Sequence, residues 1–160
     1  MTIAVYPGTF DPIHYGHLDI IQRATVMFDT LIVAVYDRPQ KNVFFPVEER
    51  TAMVREAVRD MPGVRAASYT GLTVDFVRSQ GSTVIVRGLR AIIDFEIEYQ
   101  MALTNRKLAP GVDVVCFMTS QEYAFLSSTI VKDIAMAGGP VAEFVPKHVE
   151  SALRARIASR

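Results

Sequence analysis

Short continuous apolar runs alternate with stretches of helical spacing along nearly the whole chain. Ile3-Ala4-Val5 reads as a first strand, and Leu18 to Ala24 carries apolar residues at helical intervals. Leu31 to Tyr36 is a second strand, followed by a polar loop from Asp37 to Asn42. Pro46-Val47-Glu48-Glu49-Arg50 opens a helix reaching Arg59, with proline and acids where a helix start favours them. Val64 to Tyr69 is a third strand and Thr73 to Gln80 a short helix. Thr83 to Val86 is a fourth strand, ending at Arg87-Gly88-Leu89-Arg90, and a long helix runs from Asp94 to Lys107. Val112 to Met118 is a fifth strand. The polar loop Thr119 to Ser128 leads to a helix over Thr129 to Met136, which Gly138-Gly139-Pro140 breaks before helical segments continue to Ile157.

Strands that alternate with helices pair in parallel, and Val- and Ile-rich runs fit strands covered on both faces. The pattern predicts a Rossmann-like, doubly wound α/β fold: a five-stranded parallel sheet with C-terminal helices. Ligands of such sheets bind beyond the carboxyl ends of the strands, at the switch in strand order. Every unusual polar cluster here follows a strand: Thr9 to His17, Lys41, Gly71 to Thr73, Arg87 to Arg90, and Ser120 to Thr129. No repeat or linker interrupts the pattern, so residues 1–160 read as one domain.

Charge narrows the chemistry. There are 17 basic and 17 acidic residues, which leaves no general electrostatic case for nucleic acid, so any anion site must be local. Cys116 is the only cysteine and lies in the fifth apolar run, where it reads as a core residue. No apolar run reaches the ~18 residues that span a membrane. With no signal-peptide pattern at the N-terminus, the cytoplasm is the expected compartment.

The sharpest feature is Tyr6-Pro7-Gly8-Thr9-Phe10-Asp11-Pro12-Ile13-His14-Tyr15-Gly16-His17, a strand-to-helix turn with two histidines three apart at the helix start. Side chains at that spacing share a face, and a helix N-terminus offers free N–H groups and partial positive charge. Together they point to phosphate. Taken alone, His14 reads equally as a surface histidine, Thr9 as a turn hydroxyl, and Asp11 as a cap for backbone N–H groups. Arg87 and Arg90 present planar forks suited to phosphate oxygens. Lys41 alone reads as a solvated loop lysine. Ser127-Ser128-Thr129 is either a simple N-cap or a second helix start aimed at phosphates. Neither G-x-G-x-x-G nor a P-loop pattern is present, and the two histidines lack a third zinc ligand at useful spacing.

At this point the chain resembles the phosphopantetheine adenylyltransferases, of the nucleotidyltransferase superfamily with the H/T-x-G-H signature, from Ile3 to about Leu153. The resemblance rests on Tyr-Pro-Gly-Thr-Phe-Asp-Pro at 6–12, Gly-His at 16–17, Glu-Glu-Arg at 48–50, Arg-Gly-Leu-Arg at 87–90, Asp-Phe-Glu at 94–96, Asn-Arg at 105–106 and Ser-Ser-Thr-Ile-Val-Lys at 127–132. It implies transfer of AMP from ATP to 4′-phosphopantetheine, giving dephospho-coenzyme A and pyrophosphate with Mg²⁺ assisting. Carried over by position, His17 stabilises the transition state at the α-phosphate, and Thr9 and Lys41 hold the reacting phosphates. Arg90 holds the departing pyrophosphate. Thr9, Phe10, His17, Gly88, Leu89, Arg90, Glu98 and the stretch Tyr123, Ala124, Phe125, Leu126, Ser127, Ser128 and Thr129 bind ATP. Thr9, Lys41, Thr73 and Arg87 line the phosphopantetheine side. The resemblance also implies a homo-oligomer, a hexamer, with coenzyme A as a feedback ligand. Three positions depart from the family pattern: His14 replaces the usual Thr, Ile97 a Tyr, and Ala124 a Ser.

Two other readings stay open on the residues. One is a sister nucleotidyltransferase acting on nicotinamide mononucleotide or glycerol phosphate. The other is a non-catalytic nucleotide-binding module, which the retained Thr9, His17, Lys41, Arg87 and Arg90 disfavour.

Overall fold

The computed structural model describes residues 1–40 and 42–159. Five strands form one parallel sheet in the order β3-β2-β1-β4-β5. They are β1 (Ile3–Gly8), β2 (Thr30–Tyr36), β3 (Val64–Tyr69), β4 (Val84–Leu89) and β5 (Asp113–Met118). The helices are α1 (Tyr15–Ala24), α2 (Val47–Ala57), α3 (Thr73–Ser79), α4 (Ile92–Leu108), α5 (Ser128–Met136) and α6 (Lys147–Ala158), with a 3-10 turn at Gln121–Tyr123. The doubly wound α/β fold expected from the pattern is the one observed. The order reverses between β1 and β4, which places the switch point beside the Thr9–His17 turn.

Alternation along the strands sorts the core into two layers. Ala4, Tyr6, Leu31, Val33, Val35 and Val86 face one cluster with Ile20, Ile21, Val54, Val131 and Leu153 from α1, α2, α5 and α6. Val5, Ile32, Ala34 and Ile85 face the other, with Val74 and Val77 of α3. Period-two side chains on parallel strands produce this double coverage.

Two expectations need correction. The fourth strand does not stop at Val86: Arg87, Gly88 and Leu89 continue it, in register with Cys116, Phe117 and Met118 of β5. A run containing arginine and glycine carries little strand signal by itself, so the ladder decides. Cys116 is not in the core but exposed on β5, the edge strand. The neighbouring α4 has no buried residue and shows Ile92, Ile93, Phe95, Ile97, Tyr99, Met101, Leu103 and Leu108 to the outside.

Candidate active site

The site is built on the turn between β1 and α1. Phe10 takes a positive φ of 49°, a left-handed conformation that costs a non-glycine residue energy and clusters at functional sites. Its ring is buried and sits edge-on to Tyr6 at 5.4 Å and to His17 at 4.8 Å. Asp11 is the structural cap expected of it, over a longer reach: its carboxylate accepts the N–H groups of Phe44 and Phe45 at 2.8 and 2.9 Å, and Lys132 Nζ lies 3.0 Å away.

His14 is not a surface residue. It is the N-cap of α1 and 5 % exposed. Its Nδ1 accepts the His17 N–H at 3.4 Å, and His17 Nδ1 accepts the His14 N–H at 3.2 Å. With both Nδ1 atoms accepting, each neutral ring carries its proton on Nε2. The rings stack 3.7 Å apart. Burial, aided by the charge of Arg90, lowers the His14 pKa to about 3, so this ring is neutral at physiological pH. Gly16 makes the stack possible, since a Cβ there would sit 2.9 Å from the His14 ring.

Two arginines close the opposite wall. Arg87 donates Nε and Nη2 to the two Glu98 carboxylate oxygens at 2.9 and 2.6 Å, and Nη1 to the Pro7 carbonyl at 2.7 Å. Burial works against its charge, but the Glu98 pair outweighs that and shifts its pKa upward. Arg90 donates to Asp94 at 3.1 Å and to the Leu126 carbonyl at 3.1 Å. The second helix start lies across from the first. Ser127 caps α5 by accepting the Ile130 N–H, and Ser128 Oγ donates to the Pro12 carbonyl at 2.8 Å, tying the two helix starts together.

These groups enclose a cavity of about 350 Å³ at the switch point. Of the residues expected at the site, Thr9, Phe10, His17, Arg87, Gly88, Arg90, Glu98, Tyr123, Leu126, Ser127, Ser128 and Thr129 line it. Leu89, Ala124, Phe125 and Thr73 do not. Leu89 is buried in β4, Ala124 ends the 3-10 turn, and Phe125 is exposed against Phe144. Thr73 hydrogen-bonds Tyr69 at the start of α3. Lys41 lies outside the described residues. Tyr6, Ile20, Asp94 and Thr119 also line the cavity, and sequence reasoning gave them no role. Asp94 stood in a quoted motif, but only the fold shows it bonded to Arg90.

The chemistry available is anion binding. Two helix N-termini, two guanidinium groups and a histidine converge on one polar cavity. Among the described residues, no group of three or more His, Cys, Asp or Glu side chains could hold a metal ion.

Residues 5–134 match the cytidylyltransferase-like family model. A phosphopantetheine adenylyltransferase from Roseiflexus sp. (strain RS-1) is 54% identical over 96% of each chain. Another, from Carboxydothermus hydrogenoformans, is 52% identical over 96% of this chain and 95% of its own. A third, from Chloroflexus aggregans, is 50% identical over 100% of this chain and 99% of its own. A solved structure of a putative nicotinate-nucleotide adenylyltransferase from Vibrio parahaemolyticus superposes with a TM-score of 0.66 over 96% of this chain and 99% of that one; at 14% identity it supports the fold alone. Half of all positions thus agree along almost the entire length, and the chain belongs to the phosphopantetheine adenylyltransferase family.

Proposed function

We infer that the chain transfers the adenylyl group of ATP to 4′-phosphopantetheine, a step of coenzyme A biosynthesis. The observation that carries the reading is the convergence of two helix N-termini with His17, Arg87 and Arg90 on the switch-point cavity. The acceptor phosphate oxygen attacks the α-phosphorus, a new P–O bond forms, and the bond to the bridging oxygen breaks as pyrophosphate leaves. The attacking phosphate is already anionic, so no general base is needed. Catalysis then rests on in-line placement and on donors that meet charge in the transition state. His17 serves at the α-phosphate. Arg90 and the start of α5 take the β- and γ-phosphates. Arg87 and Thr9 face the acceptor, with Lys41 assigned to the same task by its place in the sequence.

The arrangement of donors supports Mg²⁺ entering on the phosphates of the nucleotide, since Asp94 and Glu98 are already engaged by arginines. Coenzyme A, which contains the product's phosphopantetheine and adenylyl parts, would compete for the same cavity. The exposed apolar face of α4 and β5 supports a homo-oligomer, in line with the hexamer expected from the sequence. Among the described residues no helix is long and apolar enough to cross a membrane. The cytoplasmic location expected from the sequence is part of the proposal.

The test is pyrophosphate release from ATP and Mg²⁺ with and without acceptor. Release should require 4′-phosphopantetheine, and nicotinamide mononucleotide should not replace it. Equal turnover with nicotinamide mononucleotide would return the chain to the sister-enzyme reading.

A further inference from the structure

Arg50 lies in the first turn of α2 and is 0 % exposed. Its Nε donates to the Phe45 carbonyl at 2.9 Å. Its Nη1 donates to the carbonyls of Thr9 at 2.7 Å and Tyr36 at 2.9 Å, and its Nη2 to that of Asp37 at 3.4 Å. Among the described residues no carboxylate comes within ion-pair distance; Asp11, Asp37 and Glu48 act on it only through space. A guanidinium wholly removed from water and answered by neutral carbonyls is an expensive way to fill a core. An apolar side chain of similar volume often serves stability as well or better. The cost points to a task other than stability.

The partners indicate the task. The four carbonyls belong to three separate segments: the turn after β1, the end of β2, and the approach to α2. Asp11, in the same turn as Thr9, answers from the other side by accepting the Phe44 and Phe45 N–H groups. The chain is therefore pinned at Tyr36–Asp37 and again at Phe44–Phe45, both times to the turn that carries Thr9. Lysine could not reproduce this, since a compact ammonium has no rigid fork to span four carbonyls.

We propose that Arg50 is a positioning residue for adenylyl transfer, setting the separation between Thr9 and both ends of the 37–45 segment. The proposal rests on the reading that the Thr9–His17 turn meets the reacting phosphates. A displacement of about 1 Å far from the chemistry can cost on the order of a hundredfold in rate.

The experiment compares Arg50→Lys with Val54→Ala, a fully buried position one turn along α2 and away from the cavity. Both should melt at lower temperature than wild type. Assayed well below melting, Val54→Ala should keep its kcat and both KM values. Arg50→Lys should lose about ten- to a hundredfold in kcat, while calorimetric ATP affinity changes little. Wild-type kcat in Arg50→Lys overturns the proposal. Failure of Arg50→Lys to fold also overturns it, because the guanidinium would then serve the fold alone. His17→Ala assayed in parallel separates the two readings: wild-type kcat there removes the site assignment itself.

Discussion

His14 and His17 cap each other's backbone N–H groups through their Nδ1 atoms while their rings stack 3.7 Å apart. The pair fixes the tautomer of His17 and anchors the start of α1 at the rim of the cavity. Both rings line the cavity, but they differ in exposure: His14 is buried and held neutral, whereas His17 is only partly buried.

Replacing His17 by Ala should lower kcat by roughly 10²–10³, the usual cost of one donor that meets charge mainly in the transition state. ATP affinity should change much less. Steady-state kinetics and calorimetry check this together; a near-normal kcat with only a raised KM would refute the role.

Stability should depend on pH through His14. Its pKa is about 3 when folded against an ordinary 6.5. Above 6.5 both states are neutral and the contribution is complete. As pH falls below that value the unfolded chain takes up a proton that the folded chain refuses, so stability drops by up to about 1.4 kcal/mol per pH unit. His14→Thr keeps an N-capping side chain and removes this dependence. Urea unfolding midpoints from neutral pH to pH 5 should fall more steeply for wild type; parallel slopes would show that His14 does not resist protonation.

Asp11→Ala should destabilise the fold by about 3–5 kcal/mol, the usual cost of leaving a buried charge without its partner. Asp11 is 1 % exposed, and its loss strands Lys132 and the Phe44 and Phe45 N–H groups. Equilibrium unfolding measures it; a change below about 1 kcal/mol would mean that water or a neighbour takes over the site.

Glu98→Gln should act on Arg87 rather than on general folding. The two make a bidentate pair, and the amide offers one acceptor where the carboxylate offers two. KM for 4′-phosphopantetheine should rise more than KM for ATP, because Arg87 faces the acceptor in the proposed arrangement. The opposite ranking in steady-state assays would move Glu98 to the nucleotide.

Ile93→Asp should disperse the oligomer. Ile93 is 66 % exposed on a helix that buries none of its residues within the chain. A charge there would be costly in an apolar interface. Sedimentation should show wild type well above 17.8 kDa and the variant nearer to it. A wild-type protein that sediments as a monomer removes the assembly proposal.

The sequence by itself determined the layout and the anion chemistry. Val- and Ile-rich runs such as Leu31–Tyr36, short and alternating with helical spacing, read as strands covered on both faces, and Thr9–His17 after the first of them reads as a helix start at a strand's carboxyl end. Those signals are local, written in residue type and spacing. Tertiary structure decided whatever depends on partners distant in the chain. Arg87 and Gly88 belong to β4 because β5 pairs with them. Cys116 is exposed because it lies on the edge strand and its neighbour α4 buries nothing, neither of which periodicity reveals. His14 is buried and neutral because the fold encloses it beside His17 and Arg90. Arg50 looked like an ordinary residue of a helix start; its partners lie as far as 41 positions away, and only the folded chain brings those carbonyls around one guanidinium.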